Sequence, residues 1–325
     1  MSKRYNNLAI YRIIAALAII EFHILFITAD SAIPYETLLS KAVQGFTALS
    51  GLLYARKKIE NPAPFILGVL KKLVIPALAC FAFMAMWNLV YMLSTGATDY
   101  IALFFDRRVY NDALLVQPGN YYFILFIFIC YAITPLLKSR HKLKTIVIAA
   151  TAELIISFFF GLSIIIIPYI VGYLVGEHSF EEYTDAEYRI APILTWTIAT
   201  ALSLLGYALL VSLEPPTAYV LERLYTLGKS ITASAFGAAS FFLITYLLKG
   251  LNRHDEPKIL LYTDRLGLTI FLMNQAFLCG AMDLSGVFNS SVLNTVLVYV
   301  ATIGSAILID AVLSLFTKLL GKRKA

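Results

Sequence analysis

The sequence predicts an all-α protein: a polytopic membrane helical bundle of about ten transmembrane helices, with its N- and C-termini cytoplasmic. Three observations carry this prediction. The 325 residues are 60% hydrophobic and only 14% charged, against roughly 25% charged in an average soluble domain. Their apolar residues gather into runs of about the 20 residues that a helix needs to cross a hydrocarbon core of roughly 30 Å. The basic residues fall mainly on one side of those runs. A soluble core of this composition would leave its outside nearly bare of charge, which excludes an ordinary cytosolic enzyme, a disordered chain and a nucleic-acid binder. Strands are not expected.

The first run, 8–29, follows Lys3 and Arg4 and carries Arg12, Glu21 and His23. It is too long for the apolar region of a cleavable signal peptide, roughly 7–15 residues, and reads as a retained span. The second run, 37–55, ends at Arg56-Lys57-Lys58, and the third, 73–95, starts after Lys71-Lys72. The fourth, 120–137, follows the longest polar stretch, 96–119, and ends on Lys138, Arg140, Lys142 and Lys144. The fifth and sixth, 145–160 and 163–176, are short and meet at Gly161-Leu162-Ser163, as a tight hairpin or one broken element. An acidic loop containing Glu181-Glu182, Asp185 and Glu187 leads through Arg189 to the seventh, 190–213. The eighth, 229–248, stops at Lys249; the ninth, 266–283, starts after Arg265; the tenth, 291–317, runs into Lys318.

With the N-terminus inside, 20 of the 26 Lys and Arg lie in cytoplasmic segments, while Lys41, Arg107, Arg108, Arg223 and Lys229 lie outside and Arg12 within a span. Positive charge is retained on the cytoplasmic side, and an odd number of spans would put one tail on the wrong side. The same asymmetry accounts for a net charge of +6 and a pI near 9.0 without an acidic partner. The chain is expected to be one transmembrane domain over 1–325, with no attached soluble domain and no internal repeat. Cys80, Cys130 and Cys279 lie in apolar runs without Cys-x-x-Cys spacing, which indicates neither a disulfide framework nor a zinc site. His23, His141, His178 and His254 are scattered without ligand spacing, so no metal is expected.

Ionisable groups at bilayer depth are costly and are functional candidates by default. Arg12, Glu21, His23 and Glu153 stand out, with Asp310 near the inner end of the last span; Glu153 and Asp310 read equally as packing residues held by interhelical hydrogen bonds or as neutral carboxyls, and are given no role. Arg12 and His23 are 11 residues apart, which is three helical turns plus about 20°, so they share a face and are separated by about 16 Å along the axis. One stripe thus carries a cation near the cytoplasmic headgroups and an imidazole deeper in. Imidazole is suited to proton transfer at neutral pH, and guanidinium to phosphate or carboxylate. Glu21 lies about 200° round the helix from His23 and cannot orient that ring from the same face. The structural alternatives are a snorkelling Arg12 and a His23 that hydrogen-bonds a neighbouring helix.

The stretch Arg12-Ile13-Ile14-Ala15-Ala16-Leu17-Ala18-Ile19-Ile20-Glu21-Phe22-His23 resembles the first-span signature of the acyltransferase-3 family of integral-membrane acyltransferases, an Arg followed eleven residues later by a His. Five further pieces agree in order. Val43 through Leu53 looks like the family's aromatic-rich Ser-Gly stretch. Phe65 through Pro76 is similar to its basic segment ending in Pro. Tyr122 through Pro135 is similar to its Trp-Phe…Tyr…Thr-Pro span. Pro168 through Leu174 looks like its aromatic-Gly-Tyr run, and Gly267 through Asn274 like its Gly-x-x-Ile-Tyr-Leu-x-His segment. The chain departs from the family pattern at Val69 and Lys72, where many members have an Arg-x-x-Arg pair. It departs also at Asn120, often His, at Tyr122, the family's Trp, and at Asn274, the late His.

The resemblance implies a multi-pass protein of the cell (plasma or inner) membrane. It would move an acyl group, usually acetyl, from cytoplasmic acyl-CoA to a hydroxyl of an extracytoplasmic or lipid-linked glycan or cell-envelope acceptor. Acetyl-CoA would be a donor substrate, with no permanently bound cofactor. His23 would be the general base or a transient acyl carrier, and Arg12 would lie in the donor channel. Lys71 and Lys72 would receive the donor's phosphates, and Ser50, Tyr122 or Asn274 would meet the thioester oxyanion; Glu21 is a further substrate-binding candidate. Ser50-Gly51 has a packing alternative as a close helix contact, and Tyr122 one as an interfacial aromatic. Two other classes fit many of the same features: a transporter or flippase of envelope precursors, and a catalytically silent family relative. Pro76, Pro135 and Pro168 falling near span ends or in a short span, without a repeat, weigh against transport.

Overall fold

The computed structural model describes residues 5–28, 38–96, 121–253, 257–278 and 282–321, and among these it contains helices and no strand. The described residues form ten α-helices. They are α1 (Asn6–Thr28), α2 (Ala42–Ala55), α3 (Pro62–Thr95), α4 (Tyr121–Leu137), α5 (Lys142–Phe160), α6 (Ile166–Thr184), α7 (Ile190–Ser212), α8 (Tyr219–Leu247), α9 (Lys258–Met273) and α10 (Ser291–Gly321). Short 3₁₀ turns at Leu248–Arg253 and Asn274–Phe277 follow α8 and α9. Each expected apolar run overlaps one helix. Six of them (α1, α3, α5, α7, α8 and α10) are long and apolar enough to cross a membrane.

The helix ends differ from the apolar runs at several places. The third helix starts at Pro62 rather than 73 and takes in Lys71 and Lys72, which places Pro76 inside it. Pro135 is likewise inside α4. α6 continues to Thr184, into the acidic loop, and α8 begins at Tyr219, ten residues before the expected start.

The chain divides into two compact units, the first drawn from Met1–Ala18, Pro34–Val69 and Leu125–Asp264, the second from Ile19–Ile33, Leu70–Ile124 and Arg265–Ala325. In the first unit the closest crossing is between α2 and α6. A Cβ on Gly172 would lie 1.9 Å from the Ala48 carbonyl oxygen, one on Gly176 2.4 Å from that of Leu52, and one on Gly51 2.1 Å from that of Tyr169. Only glycine lets these backbones meet. The Gly-x-x-x-Gly spacing of Gly172 and Gly176 is thus a helix-contact stripe, as small residues are in membranes generally. Around it Leu8, Tyr11, Leu49, Phe241, Phe242 and Tyr246 close the core.

The connection between α5 and α6 is a hairpin of five residues, 161–165, rather than a single broken helix. Gly161, at φ 66°, ends α5 in the left-handed conformation that favours glycine. Residues 161–165 then run back, with Ile164 and Ile165 buried. Lys142 and Glu177 pair at one end of α5 and α6; Glu153 and Ile166 each lie eleven residues from that pair, about 16 Å along their helices. There Glu153 accepts hydrogen bonds from the N–H groups of Ile165 (2.6 Å), Ile166 (2.6 Å) and Ile167 (2.7 Å). Gln44 and Ser234 donate to the Ile164 carbonyl at 3.1 and 3.2 Å. Irregular backbone within a helical bundle survives only if its polar groups find partners, and Glu153 supplies them for the start of α6.

The acidic loop also acquires a role: Glu181 pairs with Arg56 and Glu182 with Arg189, at 3.7 Å in the second pair. In the second unit α3, α9 and α10 carry the core, including Met84, Leu272, Met273 and Ala306, with Phe123 of α4 against Phe271 at 4.8 Å between ring centres. Asp310 pairs with Arg265 there.

Candidate active site

The N-terminal end of α1 is fixed in the first unit by two asparagines. Asn7 is buried, and its Nδ2 donates to the carbonyls of Tyr183 (2.7 Å) and Thr245 (2.9 Å), while its backbone N–H donates to Asn252 Oδ1 at 3.1 Å. Asn6 Nδ2 donates to the Leu251 carbonyl at 3.0 Å. These bonds satisfy the carbonyl ends of α6 and α8 and set the height of the helix turn that follows. Arg12, in that next turn, is half-buried. Its Nη1 donates to both carboxylate oxygens of Asp264, each at 2.5 Å. A partly buried guanidinium is therefore held by a carboxylate rather than turned to lipid. Charge-assisted bonds of this kind are among the stronger in proteins.

Ser50 lies in the same unit. Its Oγ accepts a hydrogen bond from the Tyr131 hydroxyl at 3.1 Å. Tyr131 stands beside Tyr54, ring centres 4.5 Å apart, and beside Tyr169, whose hydroxyl shares a 2.5 Å hydrogen bond with Thr134. Accepting from Tyr131 leaves the Ser50 proton available to donate, while Gly51 is committed to the α2–α6 contact, as the packing alternative anticipated. At the end of this cluster the Lys138 ammonium, in the connection after α4, donates to the Ala55 carbonyl at 2.5 Å. Burial pulls it below the ordinary lysine range, with Glu177 opposing that shift.

His23 belongs to the second unit and is 6% exposed. Its Nδ1 lies 2.8 Å from the carbonyl of Ile19, one turn earlier in α1. A carbonyl only accepts, so Nδ1 carries the proton in the neutral ring and Nε2 bears the lone pair. The Phe22 ring meets the imidazole edge at 4.8 Å between centres. Glu21 points elsewhere, as its helical position requires, and accepts a hydrogen bond from the Tyr299 hydroxyl at 2.9 Å. Asn274 is fully buried in the 3₁₀ turn after α9. Lys71 and Lys72 are exposed on α3, and Val69 one turn before is buried. Tyr122 sits in the first turn of α4; its side chain, Asn120 and the rest of the segment 97–120 lie outside the described residues. No group of His, Cys, Asp and Glu that could hold a metal occurs among the described residues.

A family model described as an acyltransferase domain matches residues 5–311, nearly the whole chain and both of its units. The chain belongs to the acyltransferase-3 family. It is an integral-membrane acyltransferase by family and by its apolar helices. Comparison with the curated proteins and with the solved structures returns no match. Within the acyltransferase-3 frame, the Arg–x10–His signature stands on one continuous helix, Asn6–Thr28, with each of its two side chains held by the protein. Sequence reasoning did not find Asp264, Tyr131 or Tyr299. The one available signal was the need of an intramembrane arginine for a carboxylate; nothing in the sequence says which of the 20 acidic residues supplies it.

Proposed function

We propose that this acyltransferase moves an acyl group, acetyl in the first instance, from cytoplasmic acyl-CoA to a hydroxyl of an extracytoplasmic or lipid-linked glycan of the cell envelope. In this reading the ten helices cross the plasma (inner) membrane with both termini in the cytoplasm, as the distribution of basic residues requires. The observation that carries the chemistry is the His23 imidazole, buried and anchored through Nδ1 to the Ile19 carbonyl. That bond selects the tautomer with a basic Nε2, the arrangement needed in a general base.

Nε2 takes the proton of the acceptor hydroxyl as its oxygen attacks the thioester carbonyl. The carbon–sulfur bond then breaks, and the departing CoA thiolate takes the proton back from the imidazolium. Should Nε2 itself attack, the acyl group rests on the ring before the hydroxyl collects it; the same pinned ring serves either course. Arg12, on the same face of α1 and about 16 Å away along the axis, faces the anionic part of the donor from the cytoplasmic end, with Asp264 as its counter-ion until the donor arrives. Lys71 and Lys72, exposed on α3, attract the donor's phosphates at that surface, and Ser50, Tyr122 or Asn274 offers a proton to the oxyanion; Glu21 contributes to substrate binding from the other side of α1.

The test is acyl transfer by the full chain in proteoliposomes given radiolabelled acetyl-CoA and a cell-envelope fraction. Wild type labels a component of that fraction, or hydrolyses the thioester. His23→Ala inserts normally and does neither. Labelling by His23→Ala at the wild-type rate would overturn the assignment.

A further inference from the structure

In the second unit, α3, α10 and the connection between α9 and α10 enclose a cavity of about 460 Å³, within the range of small-molecule pockets. Phe83, Trp87, Phe277, Gly304 and Leu308 are among the residues of its wall. Ser305 also lines it, but its hydroxyl is turned onto the Thr302 carbonyl at 2.9 Å, which leaves a largely apolar surface. Among the lining residues only Asp283 is ionisable, and it is exposed, in the connection that precedes α10.

Two features say what enters this space. Trp87 and Leu308 are 43% and 52% exposed, and both stand on helices apolar enough to cross a membrane, so the open side meets hydrocarbon. On α10 the lining runs from Ala301 to Leu308, about 10 Å along the axis, which holds part of one acyl chain. The charge on that lining is negative. Asp283 Oδ1 accepts the Ser285 N–H at 2.8 Å, which orients the carboxylate. Its other oxygen accepts no hydrogen bond among the described residues.

We propose that this cavity is a binding site for one membrane phospholipid with an ammonium head group, its acyl chain against Phe83, Gly304 and Leu308 and its ammonium on the Asp283 carboxylate. A lipid whose only head-group charge is a phosphate meets repulsion at Asp283, which makes the site selective rather than a mere dent filled by whatever lipid is near. The inference stands apart from the acyl-transfer reading, since none of its residues belongs to the Arg12–His23 machinery.

The experiment uses the full-length protein reconstituted in nanodiscs of phosphatidylethanolamine and phosphatidylglycerol in equal amounts, with native mass spectrometry of the lipid retained on release. Wild type should keep one phosphatidylethanolamine per chain, at least tenfold over phosphatidylglycerol. A Cβ on Gly304 meets nothing within 4 Å, so Gly304→Leu grows into the cavity and should abolish retention, while the smaller Gly304→Ala keeps it. Asp283→Asn preserves the Oδ1 acceptor of the Ser285 turn and should bring the two lipids to parity. Equal retention of both lipids by wild type, meaning bulk bilayer lipid only, would overturn the proposal. So would undiminished phosphatidylethanolamine on a folded Gly304→Leu. Should that variant not fold, the exposed Asp283→Asn decides alone: an unchanged head-group preference refutes the site.

Discussion

Gly172→Ala tests the packing that holds the first unit together. The added methyl would stand 1.9 Å from the Ala48 oxygen, 2.7 Å from its carbonyl carbon and 2.8 Å from its Cα, all of them backbone atoms. No rotamer change relieves a clash with backbone. Restoring an ordinary van der Waals distance of about 3.4 Å requires α2 and α6 to part by about 1.5 Å, and the neighbouring contacts of Gly51 and Gly176 must open with them. Overpacking of this kind costs about 1–3 kcal/mol. Where helix association rests on close packing rather than on expulsion of water, little else compensates. At about 2–4 °C per kcal/mol, melting of the detergent-solubilised protein should fall by several degrees, read as the fraction still monodisperse by size-exclusion chromatography after heating. Gly68→Ala and Gly267→Ala are the controls, because a Cβ at either meets nothing within 4 Å; both sit in helices and should hold or slightly raise stability. A Gly172→Ala protein that melts with these controls would refute the reasoning, since the 1.9 Å approach would then not constrain the fold.

Four other outcomes are expected. Asp264→Asn leaves the Arg12 guanidinium with a neutral acceptor and should raise the apparent KM for acyl-CoA several-fold while His23-dependent turnover at saturating donor persists; a turnover loss with KM unchanged would contradict the counter-ion role. Glu153→Ala strands two buried backbone donors and one partly buried one and should cost about 2–4 kcal/mol, visible as a lower melting temperature. Glu153→Gln, which keeps an oxygen for Ile165 and Ile166, should lose clearly less, and equal losses would rule out the capping account. For Lys138, whose ammonium is pulled below the ordinary lysine value by burial, the unfolded chain binds more protons than the folded one between those two values. Wild-type stability relative to Lys138→Met should therefore rise as pH climbs through that interval; parallel melting curves at pH 8 and 10.5 would refute the shift.

The sequence by itself determined the class of the protein and the place of its helices. Composition and apolar runs depend on the solvent the chain meets, and a bilayer admits few answers, so every expected run overlaps a helix, though several ends differ by about ten residues. The Arg12–His23 stripe was legible for the same reason: eleven residues on a helix return to one face whatever surrounds it. Glu153 stood out as a costly intramembrane charge without a role, and its task was not readable, because the three N–H groups that it caps exist only once α6 begins at Ile166 beside α5. Asp264 was hidden in a charged flank more than 250 residues from Arg12, and Tyr299 stands 278 residues from Glu21; no local pattern encodes such pairings. The acidic loop around Glu181 and Glu182 likewise acquires meaning only through Arg56 and Arg189. The sequence contains the Gly172–Gly176 spacing, but which helix approaches so closely was decided by packing. Local periodicity follows from covalent geometry and is written residue by residue; the partner of a buried charge, or of a glycine stripe, follows from which surfaces fit, and that is settled only when distant segments meet.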